Sequence, residues 1–336
     1  MAAGFDFQLE REDPVGVLSS TAPVAEGASA VTVDEAAVER FARAHVGRQP
    51  PLLHEESLHC TDLPPERFLN YLLVLEALNF CFWDDPPRWR VNYRGARHDG
   101  YWALAAVLHR AIHENGLPLW DAEFLATLEA EPLARLLRGE ERPPPLLEAR
   151  LANLREVGQV LVEHWESRFG NLVAACEGEA ARLVGRIVAE FPSFRDEAQW
   201  RGRSVWFYKR AQICVADLAR LLPDHRLGRV AGLENLTAFA DYKVPQVLRA
   251  EGILRLAPEL AAQVDRGELL PAGEEEEVEI RAATIWACEW IVRAMRRLAP
   301  KGSPALTAAG VDYLLWSAGQ GHPGLPPYHR TRTIYY

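Results

Sequence analysis

Residues 233–248 read Leu-Glu-Asn-Leu-Thr-Ala-Phe-Ala-Asp-Tyr-Lys-Val-Pro-Gln-Val-Leu, and they place Asp241, Tyr242 and Lys243 between two apolar runs. The apolar residues of the first run recur at helical spacing, which predicts a helix turned onto a core. Pro245 disfavours helical dihedrals in the residue before it, so we predict a break after Asp241 and a second helix that opens with the proline. The three polar residues then lie at a helix-turn-helix corner. This corner is either a solvated turn with a capping aspartate or a functional group of carboxylate, phenol and ammonium.

The rest of the chain shows the same helical spacing, which predicts an all-α, mainly helical fold with a few short strands. Residues 89–93 favour a short strand or hairpin arm, and residues 203–207 favour either a strand or the start of a helix. Residues 1–30 show little periodicity and are predicted to be a partly mobile arm in front of a single helical domain over 31–336. The predicted helices span residues 33–44, 65–82, 101–114, 121–130, 132–138, 146–168, 172–191, 209–222, 258–264, 274–297 and 307–318.

Composition excludes several classes of protein. With 336 residues, 49% of them hydrophobic, the chain can bury a large core. No apolar run approaches the roughly 18 residues of a membrane span, and the acidic first residues do not resemble a secretion signal. The five cysteines are scattered without a CxxC pair, which argues against a disulfide framework or a structural zinc site and indicates a reducing cytoplasm. A net charge of −10 disfavours direct nucleic-acid binding, because such a protein needs a basic face.

Several stretches follow the same order as the motifs of a known family. Together they resemble the queuosine salvage protein family, from residue 30 to the C-terminus. The resemblance implies a queuosine 5′-phosphate N-glycosidase that releases queuine for tRNA-modification salvage, with a helical fold similar to that of the helix-hairpin-helix DNA glycosylases. The stretches that carry it are Leu-Glu-Ala-Leu-Asn-Phe-Cys-Phe-Trp at 75–83, Gly-Tyr-Trp-Ala-Leu at 100–104, Phe-Tyr-Lys-Arg-Ala-Gln-Ile at 207–213, Phe-Ala-Asp-Tyr-Lys-Val-Pro-Gln-Val-Leu at 239–248, Val-Glu-Ile-Arg at 278–281 with Trp286, and the closing residues 329–332 and 335–336.

Cleavage of an N-glycosidic bond develops positive charge on the ribose as the base departs. A fixed carboxylate under the anomeric carbon stabilises that charge, and it can attack the carbon or hold the hydrolytic water. Queuosine carries a 7-deazaguanine, whose ring position seven is carbon and cannot be protonated as in a purine. Asp241 is the candidate for the carboxylate, and its two possible roles stay open. This chemistry needs neither a metal nor an organic cofactor, and we expect none.

The resemblance also implies which residues bind the substrate. A 5′-phosphate needs cations and hydroxyl or amide donors, for which the candidates are Lys209, Tyr242, Lys243 and Arg330. A flat base stacks on aromatic rings, and its donor edge or aminocyclopentenediol arm seeks acceptors. The candidates for the base are Asn79, Phe80, Trp83, Asp84, Trp286, Glu289 and Asp312.

Two other functions are compatible with the sequence. One keeps the glycosylase chemistry but changes the substrate to another nucleoside or to damaged nucleic acid, although the acidic charge disfavours a polymer. The other is a non-catalytic helical protein that binds a ligand or a partner. An Asp241→Asn variant separates these classes, because an enzyme loses turnover while a binding protein is nearly indifferent.

Overall fold

The computed structural model describes residues 5–49, 58–300, 306–320, 322 and 324–336. Over these residues the chain forms fourteen α-helices and six short strands, and the strands pair antiparallel in three separate two-stranded sheets. The prediction of a mainly helical fold with a few short strands is therefore confirmed. No helix in the described ranges is long and apolar enough to cross a membrane. The chain divides into two compact units, which we describe separately as unit 1 and unit 2.

Unit 1 comprises residues 1–52, 196–209 and 232–332. Its helices and strands pack around one long central helix, α13. They are α1 Val17–Gly27, β1 Val31–Val33, α2 Glu35–His45, β4 Glu197–Trp200, β5 Arg203–Trp206, α11 Lys243–Ala250, β6 Leu254–Leu256, α12 Pro258–Asp265, α13 Glu275–Leu298 and α14 Ala308–Ala318.

The central helix α13 is predicted well by its charges. Acidic residues fill its first turn and Arg296 and Arg297 its last, which complements the helix dipole at both ends. Every residue from Glu277 to Met295 is buried, since α1, α2, α11 and α14 pack around it. Such complete burial requires partners for the polar side chains of the helix. One of those partners, Asp196, which binds Arg281 of α13, belongs to the candidate functional site.

Residues 5–30, which the sequence analysis assigns to an arm, include helix α1 and contribute to the core of unit 1. The ring of Phe5 stacks on Trp290 with centroids 3.7 Å apart. Val17 and Val24 on α1 are fully buried. Further along, β1 pairs with β6 in the register Val31↔Leu256.

Unit 2 comprises residues 53–195, 210–231 and 333–336. Its elements are helical apart from one hairpin. Helix α10 begins at Lys209, the last residue of its unit 1 segment, and continues into unit 2. The elements are α3 Pro65–Ala77, β2 Arg90–Tyr93, β3 Ala96–Asp99, α4 Gly100–His113, α5 Ala122–Ala126, α6 Ala130–Leu136, α7 Leu147–His164, α8 Phe169–Ala175, α9 Ala180–Glu190 and α10 Lys209–Leu221.

Two strand predictions are confirmed. Residues 90–93 form strand β2 of a hairpin that turns at Arg94 and Gly95, both in the left-handed region of φ. Residues 203–206 form strand β5, which pairs with β4, and so the strand is the correct alternative for this stretch.

One predicted helix, over 172–191, is wrong. The structure has two helices there, α8 and α9, separated by a turn in which Glu177 and Gly178 both have positive φ. Ala231 pairs with this turn, because its N–H donates to Gly178 and its carbonyl accepts from Ala180. The apolar spacing runs through the break because both helices bury a face, so periodicity alone does not reveal it.

The first half of the opening segment is also not the predicted helix. Residues 233–235 form a single 3-10 turn after Gly232, and residues 236–240 have no regular secondary structure. Three backbone polar groups of residues 236–240 bond to distant side chains, which satisfies them without a helix. Arg11 donates to the Leu236 carbonyl at 3.2 Å, Arg281 donates to the Ala240 carbonyl at 3.1 Å, and the Phe239 N–H donates to Asp312 at 2.8 Å.

The second half of that segment does form the predicted helix, α11. It begins at Lys243, two residues before the proline, so Val244 is helical despite the residue that follows it. Pro245 is tolerated there because the first turn of a helix has no internal partner for its missing N–H. The break before α11 leaves Asp241 at its N-terminus.

Candidate functional site

Asp241 lies in a buried position at the start of α11, in unit 1. Its Oδ1 accepts hydrogen bonds from the backbone N–H groups of Lys243, at 2.7 Å, and Val244, at 2.9 Å. These N–H groups are among those that a helix start leaves without an internal partner. The side chain is therefore held in one orientation by the backbone itself.

The charge state of Asp241 reflects opposing effects. Burial raises the pKa of its carboxyl, because the ionised form loses its water. The ammonium of Lys209, the two N–H donors and the ammonium of Lys243 all lower this pKa. Two cations and two hydrogen-bond donors thus stabilise the ionised form, but burial outweighs them and the pKa of Asp241 stays above its ordinary value.

A second carboxylate, Asp312 on α14, lies in the same electrostatic environment. It accepts the hydrogen bond from the Phe239 N–H, and it is almost completely buried. Burial raises its pKa well above the ordinary value, and the negative charge of Asp241 raises it further. One N–H donor and Lys209 oppose this shift. Of these two neighbouring buried carboxyls, Asp241 has the surroundings more favourable to ionisation, and Asp312 has those more favourable to the protonated form.

Lys209 is positioned by a network that the sequence analysis missed. Its backbone N–H donates to Asp196 at 3.2 Å, and Asp196 accepts two hydrogen bonds from Arg281, at 2.9 and 2.6 Å. The Nε of Arg281 donates to the Ala240 carbonyl, next to Asp241, and its guanidinium lies 3.8 Å from the centroid of the Phe207 ring. One bidentate ion pair therefore fixes the backbone on both sides of the Lys209–Asp241 interaction. Arg281 closes one of the quoted motifs, whereas no local pattern singles out Asp196.

The other residues predicted to bind the phosphate lie in three environments. Tyr242 is largely buried, and its ring is 4.9 Å from that of Tyr328. The ammonium of Lys243 donates to Gln246 and to the Gly319 carbonyl, both at 3.3 Å. Arg330 donates to the Gly267 carbonyl at 3.0 Å. Of these, Tyr242 and Lys243 directly follow Asp241 in the chain, and all remain predictions as phosphate ligands.

Trp286 and Glu289, predicted to bind the base, both lie on α13 and contact the N-terminal part of unit 1. The indole N–H of Trp286 donates to Thr21 at 3.2 Å, and Phe7 packs against its ring at 5.0 Å. Glu289 forms an ion pair of 2.5 Å with Arg11. Their role in base binding stays a prediction.

The remaining residues predicted to bind the base belong to unit 2. Asn79 donates to Glu76 at 2.8 Å, and the guanidinium of Arg150 lies 4.3 Å from the ring centroid of Phe80. Trp83 is buried, and Asp84 pairs with Arg142. Their role too stays a prediction.

The geometry of unit 1 suits acid–base chemistry. Two buried carboxyls, Asp241 and Asp312, and the ammonium of Lys209 interact electrostatically near the start of α11. Such a group can stabilise a developing cation, accept one proton and donate another. The described Cys and His side chains that come within metal-binding distance of one another lie in unit 2, apart from this group in the chain.

Comparison with known proteins assigns the family. A family model described as queuosine salvage protein matches residues 58–336. A protein of Sphaerobacter thermophilus named queuosine 5′-phosphate N-glycosylase/hydrolase is 51% identical over 327 residues, covering 96% of this chain and 98% of that protein. Proteins with the same name are 36% identical in Mus musculus, covering 96% and 99% of the two chains, and 31% identical in Schizosaccharomyces pombe, covering 74% and 73%. The chain belongs to the queuosine salvage protein family.

Proposed function

We propose that this chain hydrolyses the N-glycosidic bond of queuosine 5′-phosphate, giving queuine and ribose 5-phosphate. The relatives named for that activity are similar to this chain over nearly their whole length. The observation that carries the proposal is the buried group of Asp241, Lys209 and Asp312, in which the surroundings of Asp241 favour ionisation more than those of Asp312.

Asp241 acts at the sugar. As the bond between C1′ and the base nitrogen breaks, its electron pair leaves with the base and C1′ becomes cationic. The Asp241 carboxylate stabilises this cation and accepts a proton from the water whose oxygen bonds to C1′. Asp241 can act as this base or attack C1′ itself, because the N–H donors and ammonium groups around it weaken a base and a nucleophile alike.

Asp312 acts on the leaving group. The departing nitrogen gains an electron pair and needs a proton, and the carbon at position seven of a 7-deazaguanine cannot take one. A carboxylic acid that stays protonated at neutral pH supplies it. The proton lost by water to Asp241 and the proton given by Asp312 balance, so the enzyme returns to its starting state by transfer between the two carboxyls.

Lys209 and Lys243 provide positive charge beside Asp241. We assign them, with Tyr242 and Arg330, to the 5′-phosphate and ribose, because an anionic group there needs cations that are already fixed. The five cysteines all lie among the described residues and are buried, and we infer from the sequence that the reaction takes place in the reducing cytoplasm.

The test is release of queuine from queuosine 5′-phosphate and from unphosphorylated queuosine, measured side by side with dialysed enzyme. We expect fast release only from the phosphorylated substrate. Equal rates on the two substrates would contradict the assignment of residues to the 5′-phosphate. No release from either substrate would overturn the hydrolase proposal. For the variant Asp241→Asn in the same assay, the matched control is Asp265→Asn, because Asp265 is a half-exposed aspartate paired with Arg249 at 2.8 Å on the surface of unit 1.

A further inference from the structure

Unit 2 contains a second cluster of chemically reactive side chains, formed by Cys60, His109 and His113. The sulfur of Cys60 and one nitrogen of each histidine lie within 4.8 Å of one another. Cys60 precedes α3, whereas the histidines occupy one face of α4 at a spacing of four residues. The sequence analysis missed this cluster, because α3 and the β2–β3 hairpin separate its members in the chain.

The neighbours of the cluster resemble the outer shell of a metal site. The hydroxyl of Tyr93 is 2.9 Å from Nδ1 of His109, which fixes the orientation of the ring. A carboxylate oxygen of Asp62 is 3.4 Å from Nε2 of His113. An oxygen partner on a histidine and a carboxylate beside the donor set both orient ligands and offset the charge of a cation.

The backbone conformation and the burial of Cys60 also favour a ligand site. Cys60 adopts a left-handed conformation with φ of 52°, uncommon for any residue other than glycine, and its side chain is fully buried.

We propose that Cys60, His109 and His113 bind one divalent transition-metal ion of the zinc type. One sulfur and two imidazole nitrogens are donors that Zn²⁺ prefers, and three protein ligands leave the fourth position of a tetrahedral site open. Binding at this site ties the segment before α3 to the end of α4. Binding replaces the proton of the Cys60 thiol with the metal, and that proton passes to solvent. This proposal is independent of the hydrolase activity.

The test uses Co²⁺ as a spectroscopic probe on metal-stripped, reduced protein, followed by competition with Zn²⁺. We expect one equivalent of Co²⁺ to produce a thiolate-to-cobalt charge-transfer band in the near ultraviolet and tetrahedral bands in the visible, and Zn²⁺ to abolish both. Cys60→Ser removes the charge-transfer band. His113→Ala lowers Co²⁺ affinity at least about tenfold, as loss of a ligand outweighs loss of an outer-shell partner.

His113 suits this test because it lies in the last turn of α4 and its side chain is 26% exposed, so its removal leaves the core intact. The matched control is His164→Ala, in the last turn of α7 and also beside an acidic residue, which leaves binding unchanged. Circular dichroism shows that each variant is folded. Absence of a charge-transfer band in the parent protein, or a band that survives Cys60→Ser, would overturn the site.

Discussion

Asp241→Asn tests the catalytic proposal most directly, because it removes a charge and almost nothing else. The amide oxygen can still accept the two hydrogen bonds that Lys243 and Val244 donate to Oδ1. Asparagine is also as good a residue as aspartate at the start of a helix. The substitution therefore leaves the backbone of α11 in place, and the loss of activity reports the charge.

The size of the loss follows from Coulomb's law. A carboxylate about 3.5 Å from a cationic anomeric carbon, at an effective dielectric constant of about 20, stabilises it by about 5 kcal/mol. That corresponds to a decrease in kcat of about 10³- to 10⁴-fold. The low dielectric constant is justified because Asp241 is only 8% exposed.

The assay is release of queuine from saturating queuosine 5′-phosphate, with circular dichroism and urea unfolding on the same samples. We expect kcat to fall and KM to change little, since the charge acts in the transition state. Asp265→Asn, on the surface, retains full activity. A folded Asp241→Asn protein with a kcat within about tenfold of the parent would refute the reasoning, because no carboxylate at the anomeric carbon is so dispensable.

Three further predictions concern the network around the site and are checked by urea unfolding. Asp312→Asn abolishes most activity yet stabilises the fold at neutral pH. A carboxyl whose pKa is raised in the folded state weakens the fold progressively from its ordinary pKa of about 3.8 up to the raised value, so the gain from the substitution shrinks as pH falls towards 4 and disappears below about 3.8. An unchanged stability difference between pH 7 and pH 4 would contradict the protonated state. Arg281→Met leaves the buried Asp196 carboxylate without its ion-pair partner and lowers the free energy of unfolding by about 3–5 kcal/mol. Adding Asp196→Leu recovers part of that loss. A double variant no more stable than the single one would exclude the ion pair as the cause. Arg11→Met leaves Glu289 buried without its guanidinium and costs about 3 kcal/mol, and a change below about 0.5 kcal/mol would show that the N-terminal segment does not support α13.

Features with a local signal could be predicted from the sequence. Helix α13 has acids at its start and arginines at its end, and α14 starts at Thr307, whose hydroxyl accepts from Gly310. The hairpin turn at Arg94 and Gly95 belongs to the same class. Each signal arises from residues within a few positions of one another, so a single sequence reveals it.

The rest depends on contacts between distant parts of the chain. Residues 236–240 have helical apolar spacing, but the side chains that bond their backbone come from residues 11, 281 and 312. Asp196 supports the site from a segment with no motif. Asp241 was found through its motif, whereas its environment depends on Lys209 and Asp312, which the tertiary structure supplies.

The division of labour between the two carboxyls follows from what surrounds each of them. Asp241 has two N–H donors and two ammonium groups, whereas Asp312 has one donor, the shared Lys209 and the repulsion of Asp241. Protonation of Asp241 instead of Asp312 would weaken the hydrogen bonds from the backbone N–H groups at the start of α11, because a neutral carboxyl accepts them less strongly. These surroundings favour ionisation of Asp241 before Asp312. A nucleobase that cannot accept a proton at position seven needs an acid elsewhere, and we propose that Asp312, whose pKa is raised by burial and by the neighbouring Asp241, meets that need without a cofactor.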